Sequence, residues 1–74
     1  MNPIKKIRTN KNLSIKKFAE LLDSNSLTIN NVEKGNCKES TYLTIIRKIG
    51  LEFDDIDESR LLRDYRKWLD KYNN

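Results

Sequence analysis

The fold is decided by residues 13–35, which read LSIKKFAELLDSNSLTINNVEKG. Its first half carries an apolar stripe with a spacing of three and four residues: Ile15, Phe18, Ala19 and Leu22. An α-helix places residues at this spacing on one face, and Ser14 precedes them as an N-cap. The stripe stops at Asp23, Ser24 and Asn25, whose short polar side chains bond their own backbone and favour a turn.

The second half predicts another short helix. Ile29 and Val32 are its inward residues, Asn25 its N-cap and Gly35 its left-handed C-terminal residue. Ala19 is small, so two helices that cross steeply through a tight turn can approach each other closely. Two short helices joined in this way make a helix-turn-helix, whose second helix commonly enters the major groove of DNA.

The rest of the chain predicts an all-α fold, a compact bundle of five short helices. The expected helices cover residues 3–11, 15–22, 26–34, 41–49 and 58–72, with caps at Asn2, Ser14, Asn25, Ser40 and Asp57. Pro3 suits the first helical position, and Gly50 is expected to end the fourth helix. We expect residues 1–56 to form a helix-turn-helix core. Residues 57–74 are expected to add an amphipathic helix that belongs to the same domain or contacts another chain.

Composition limits the classes of function that the sequence allows. The 74 residues include no histidine and a single cysteine, Cys37, so we expect no catalytic group, no metal site and no cofactor. No signal peptide or apolar span of membrane length is visible, which favours a cytoplasmic protein. An enzyme is therefore the least favoured class.

Positive charge is concentrated in one half of the sequence. Residues 1–38 contain eight basic and three acidic residues, a net charge of +5, whereas the remainder has a net charge of −1. Such a basic region attracts a polyanion without reading its sequence. The alternative is a lysine-rich surface that is only solvated.

Residues 13–35 resemble the helix-turn-helix of the phage Cro and lambda-type repressor family, also called the XRE family. The matching residues are Leu13, Ser14, Phe18, Ala19, Glu20, Leu22, Thr28, Ile29, Val32, Glu33, Lys34 and Gly35. The resemblance extends over about residues 4–56 and implies a lambda-repressor-like bundle with an ion pair between Arg8 and Glu33. The sequence departs from the family at Asp23, where a glycine is usual, and at Ser26, where arginine or glutamine is frequent.

The predicted third helix gives the candidate reading residues. Its outer face is expected to present Ser26, Leu27, Thr28, Asn30 and Asn31 to base edges. Of these, the resemblance implies base contacts for Ser26, Leu27 and Asn31. The candidate phosphate contacts lie at helix ends and in the following loop: Ser14, Lys16, Lys17, Asn25, Lys34, Asn36 and Lys38. The alternative for both sets is a solvated polar surface.

The last predicted helix has an apolar face consisting of Leu61, Leu62, Tyr65, Trp68, Leu69 and Tyr72. This face either packs across the first and fourth helices of its own chain or contacts a second copy or another regulator. Large aromatic residues often dominate such contacts.

Two functions stay open at this point. The first is a Cro-like transcriptional regulator that binds operator DNA, double-stranded, as a homodimer. The second is an antirepressor or modulator that keeps the fold but binds a repressor protein, with weak or no DNA affinity. Leu27, Ser24 and the uncharged Ser26 on the expected reading surface motivate the second function.

Overall fold

Five α-helices joined by short turns make up the protein. The computed structural model describes residues 1–72. Its helices are α1 (Pro3–Asn10), α2 (Ile15–Leu21), α3 (Ser26–Lys34), α4 (Glu39–Glu52) and α5 (Glu58–Tyr72). The described residues contain no strand, so the predicted all-α bundle is confirmed.

Side-chain caps fix where four of the helices begin. Asn25 Oδ1 accepts a hydrogen bond of 2.8 Å from Thr28 N, and Ser14 Oγ accepts one of 3.1 Å from Lys17 N. The same arrangement is seen at Asn2 in α1 and at Asp57 in α5. Each cap satisfies an amide that has no partner within the helix, so these four starts follow from local sequence.

The predicted bounds of α4 were wrong at both ends. The helix begins at Glu39, with Lys38 at the N-cap position, so Ser40 lies inside the first turn and does not cap it. Gly50 does not end the helix, which continues to Glu52. A Cβ at Gly50 would lie 3.0 Å from Glu58 Cβ, so glycine here allows the start of α5 to approach α4 closely.

The two turns that border α3 both use left-handed backbone. Asp23 has a φ of +50° in the turn between α2 and α3, and Gly35 has a φ of +73° after α3. Asp tolerates this region better than most residues, which explains how the turn forms without glycine. Lys48 Nζ on α4 donates a hydrogen bond of 3.1 Å to Asp23 O, so a long-range contact also stabilises this turn.

All five helices contribute to one hydrophobic core. Its buried members are Ile4, Phe18, Ala19, Leu22, Ile29, Val32, Tyr42, Ile45, Ile46, Ile49, Leu61 and Tyr65. Phe53, just after α4, stacks on Phe18 with ring centroids 6.1 Å apart. Of the described helices, none is both long and apolar enough to span a bilayer.

The α5 helix packs against α1 and α4 of its own chain. Leu61 and Tyr65 are buried in the core, which agrees with the alternative that this face packs within its own chain and leaves these two residues no surface for a dimer or partner contact. Leu62, Trp68 and Leu69 are partly buried against the core. Tyr72 is 62% exposed and stacks on Trp68, with ring centroids 4.9 Å apart.

Gly35 is where α5 meets the end of α3. A Cβ on Gly35 would lie 2.8 Å from Trp68 Cζ3 and 3.2 Å from Leu69 Cδ2. The positive φ therefore favours glycine at this position, and the indole leaves too little room for a Cβ.

We predict that Gly35→Ala lowers the free energy of unfolding by about 2 kcal/mol or more, because it adds left-handed strain and displaces the indole. Chemical denaturation monitored by circular dichroism measures the change. Gly50→Ala is the matched control. It improves helix propensity but presses on Glu58, so we expect a change within about 1 kcal/mol. Equal losses in the two variants would contradict the special role of Gly35.

Candidate nucleic-acid interface

Arg8 and Glu33, the expected ion pair, are in bidentate contact. Arg8 Nε lies 2.7 Å from Glu33 Oε2, and Arg8 Nη2 donates to Glu33 Oε1 at 3.1 Å. The third guanidinium nitrogen, Nη1, donates to Leu13 O at 2.9 Å. The side chains of Arg8 and Glu33 are only 11% and 5% exposed. This fork joins α1, the start of the helix-turn-helix and the end of α3 in one nearly buried network.

The carbonyl of Val32 is the second point at which α3 is held. It accepts hydrogen bonds from Tyr65 Oη at 2.8 Å and Asn2 Nδ2 at 3.2 Å, besides the turn bond from Gly35 N. Burial raises the pKa of Tyr65, and the neighbouring Cys37 sulfur adds to the effect, so the phenol keeps the proton that it donates. The last turn of α3 is thus bonded to both α1 and α5.

The outer face of α3 is open to solvent. Leu27 is 69% exposed. Asn30 and Asn31 are half-exposed, and Lys34 is exposed. These four residues follow the i, i+3, i+4, i+7 spacing of one helical face. Two further predicted reading residues, Ser26 and Thr28, lie in the first turn and are exposed and half-exposed.

The candidate phosphate contacts lie in three places. Ser14, Lys16 and Lys17 are exposed at the start of α2. Lys34, Asn36 and Lys38 are exposed at and beyond the end of α3. Asn25 is exposed before α3. The cap oxygens of Ser14 and Asn25 are engaged as acceptors, but the hydroxyl hydrogen of Ser14 and the amide group of Asn25 can still donate to a phosphate oxygen.

Two residues that support α3 were missed in the sequence. Asn2 is recognisable as an N-cap, but nothing in the local pattern shows that its amide nitrogen reaches Val32, thirty positions away. Lys48 looks like an ordinary exposed lysine of α4, yet it bonds the turn before α3. Both contacts depend on how helices that are distant in sequence pack together.

We predict that Glu33→Leu costs about 3 kcal/mol of unfolding free energy, because it leaves the nearly buried guanidinium without its partner. Arg8→Met should be similarly harmful, and the double variant should lose about 1 to 3 kcal/mol less than the sum of the two. Thermal and urea unfolding of the four proteins measures this coupling.

The Lys11–Asp55 pair serves as a control, since Lys11 Nζ lies 3.1 Å from Asp55 Oδ1 on an exposed surface. Its hydrogen bond lowers the pKa of Asp55, but solvent screens the pair, so Asp55→Ala should have the smaller effect. A Glu33 variant as stable as the Asp55 variant would show that the buried fork is not needed.

The described surface therefore combines an open face of α3, a rigid attachment behind that face and lysines at the neighbouring helix ends. In comparisons with models of protein families, with curated proteins and with solved structures, no match to this chain is found.

Proposed function

We propose that this protein is a small Cro-like transcriptional regulator that binds operator DNA with α3 in the major groove. The observation that supports it best is the contrast between the two sides of α3. Ile29, Val32 and Glu33 are buried, while Leu27 and the polar side chains near it face solvent. A helix held on one side and open on the other has the form required for insertion into the groove.

Base reading in this proposal uses uncharged side chains. Asn31 makes a paired hydrogen bond to the N6 and N7 atoms of adenine, and Leu27 packs on a thymine methyl. Ser26, Thr28 and Asn30 add single hydrogen bonds to neighbouring base edges. This chemistry favours a site rich in A·T pairs.

Phosphate contacts supply affinity that does not depend on sequence. Lys16 and Lys17 at the start of α2, together with Lys34 and Lys38 after the reading face, provide cations close to the helix-turn-helix. Each phosphate that they neutralise releases counterions, so binding weakens steeply as salt rises.

The proposed binding unit is a homodimer. Two copies that place their α3 helices about 34 Å apart can read successive major grooves on one side of the duplex. On α5, the side chains of Leu62, Trp68, Leu69 and Tyr72 keep exposed surface that a second copy can cover. Leu61 and Tyr65 take no part, because the core already buries them.

The proposal is tested by selecting duplexes from a randomised library and measuring binding of the selected sequence and of random DNA by fluorescence anisotropy, from 50 mM to 300 mM salt. We expect a preference of about 10³-fold or more for the selected duplex. An equal affinity for the two duplexes at every salt concentration would contradict the regulator.

Asn31→Ala and Lys17→Ala should then distinguish the reading of base edges from the sequence-independent attraction to phosphates. Asn31→Ala should weaken the selected duplex about tenfold or more and relax the preference at one base pair, since one paired contact is worth about 1 to 3 kcal/mol. Lys17→Ala should weaken all duplexes alike and make the salt slope shallower. Lys6→Ala on α1 removes the same charge from an exposed position outside the proposed contacts and should change neither quantity. Uniform weakening by Asn31→Ala would show that this residue does not read bases.

The alternative function is an antirepressor that binds a repressor protein, and the 69% exposure of Leu27 favours it. An exposed leucine surrounded by polar residues can anchor a protein contact as well as a thymine methyl. In that case the reading face serves a protein partner, and DNA affinity is weak.

We expect Leu27→Asp to abolish such a complex, measured by size-exclusion chromatography of the protein mixed with a purified lambda-type repressor. Leu51→Asp is the matched control, because Leu51 is 76% exposed on α4 and lies away from α3 in sequence. A complex that survives Leu27→Asp would contradict the antirepressor surface.

A further inference from the structure

A groove lined by hydroxyl groups lies between the turn before α3, the first part of α3 and the outer side of α4. Its volume is about 340 Å³. The residues that line it are Ser24, Thr28, Ser40, Thr41, Thr44, Ile45 and Lys48. Five of these seven side chains carry a hydroxyl. Ile45 is buried in the core beneath them. The groove thus has an apolar base and polar walls.

The charge in the groove comes from one lysine. Among the described residues that line it, none has a carboxylate, and Lys48 is the one charged side chain. Lys48 Nζ uses one of its three N–H donors on Asp23 O, which leaves two for a ligand. Hydroxyl groups around a cation favour an anion that has several acceptor oxygens.

We propose that this groove binds a phosphate group. A phosphate offers oxygens in several directions, so the ammonium on α4 and hydroxyls from the turn, α3 and α4 can bond it together. A carboxylate holds its two oxygens in one plane, whereas the tetrahedral phosphorus directs the phosphate oxygens out of a single plane, which suits hydroxyls on opposite walls better.

The source that the position favours is a phosphodiester of the DNA backbone, which rests on the proposed function. Thr28 belongs both to the groove wall and to the first turn of α3, next to Ser26 and Leu27 of the reading face. A strand that borders the major groove at α3 therefore passes the mouth of this groove. The positive end of the α3 dipole lies at the same turn and favours an anion there.

Two carboxylates lie near enough to matter for the experiment. Asp23 and Glu52 line a separate groove that shares Lys48. Replacing Lys48 leaves these acidic groups less compensated, which alone repels DNA. The test therefore needs a second variant that removes hydroxyls without any change of charge.

Two variants and two controls make the test. Lys48→Gln removes the ammonium, and Thr41→Val with Thr44→Val removes two hydroxyls at almost constant volume. Thr44 Oγ1 donates its single hydrogen to Ser40 O at 2.9 Å, so the hydroxyl has to turn away from that carbonyl to donate to a phosphate. Thr9 Oγ1 on α1 makes the same kind of bond to Lys6 O, at 3.1 Å. Thr9→Val is therefore the matched control for the hydroxyls, and Lys6→Gln, at an exposed position of α1, is the control for the charge. Thermal unfolding of each variant shows whether it is folded.

The first measurement is fluorescence anisotropy with the selected duplex and a random duplex at several salt concentrations. We expect both test variants to weaken the two duplexes equally, by about tenfold for Lys48→Gln, the value of one hydrogen bond to a charged group. The salt slope of that variant should be shallower by about 0.9, which corresponds to one phosphate. If folded test variants bind both duplexes as tightly as the controls do, the DNA source is wrong while the proposed function stands.

The second measurement identifies a free phosphate as the source. Inorganic phosphate is titrated into the ¹⁵N-labelled protein, and the amide shifts of Ser24, Thr41 and Thr44 are followed. One outcome is that the protein binds neither duplex, while inorganic phosphate causes saturable shifts that Lys48→Gln loses. This outcome supports the phosphate site and overturns only the proposed function. If neither inorganic phosphate nor a duplex depends on these residues, the phosphate site itself is overturned.

Discussion

The last turn of α3 is the point on which the rest of the structure depends. Val32 O accepts hydrogen bonds from Asn2 on the α1 side and from Tyr65 on α5, and the next residue, Glu33, holds the guanidinium of Arg8. These groups are buried or nearly so, and a buried polar group that loses its partner is costly. The angle of α3 is consequently fixed from behind, by contacts that leave its outer face untouched.

This arrangement also makes α5 an integral part of the domain. Its Tyr65 completes the bonding of Val32, and its Trp68 fills the space that the missing side chain of Gly35 leaves open. A 74-residue chain can bury only a modest core, so a helix that contributes Leu61 and Tyr65 to that core adds a substantial share of its stability. Trp68 packs against Gly35 at the end of α3. A contact made on the exposed side of α5 around Trp68 would therefore be separated from the end of α3 by this one side chain.

Local sequence predicted the parts of the fold that local chemistry determines. The caps at Asn2, Ser14 and Asn25 and the left-handed Gly35 follow from the bonding habits of those residue types, and the structure contains all of them. Gly50 shows where such reasoning fails. Glycine is common at helix ends because it adopts positive φ, but Gly50 stays helical, and its missing side chain leaves room for Glu58 at the start of α5.

The candidate site was predictable to a similar degree. The inward positions of α3 follow from their spacing, and so does the open face opposite them. The bonds from Asn2 to Val32 and from Lys48 to Asp23 were not predictable, because they join positions that come together only after the helices pack. The groove beside Thr28 and Thr44 was missed for the same reason, since its walls come from separate elements.

The cations and the uncharged side chains on this surface would contribute differently to the affinity and the selectivity of DNA binding. The open face of α3 has one cation, Lys34, at its end, while Leu27, Asn30 and Asn31 are uncharged. Coulombic attraction to phosphates falls with salt, whereas hydrogen bonds to base edges and contacts with methyl groups respond to salt much less. If the protein binds DNA as proposed, it would lose affinity as salt rises but keep its ratio of specific to random binding. Because α3 is fixed by buried bonds to Val32 and Glu33, the ratio of specific to random binding of the proposed regulator would depend on the rigidity of the fold as well as on the exposed side chains of α3.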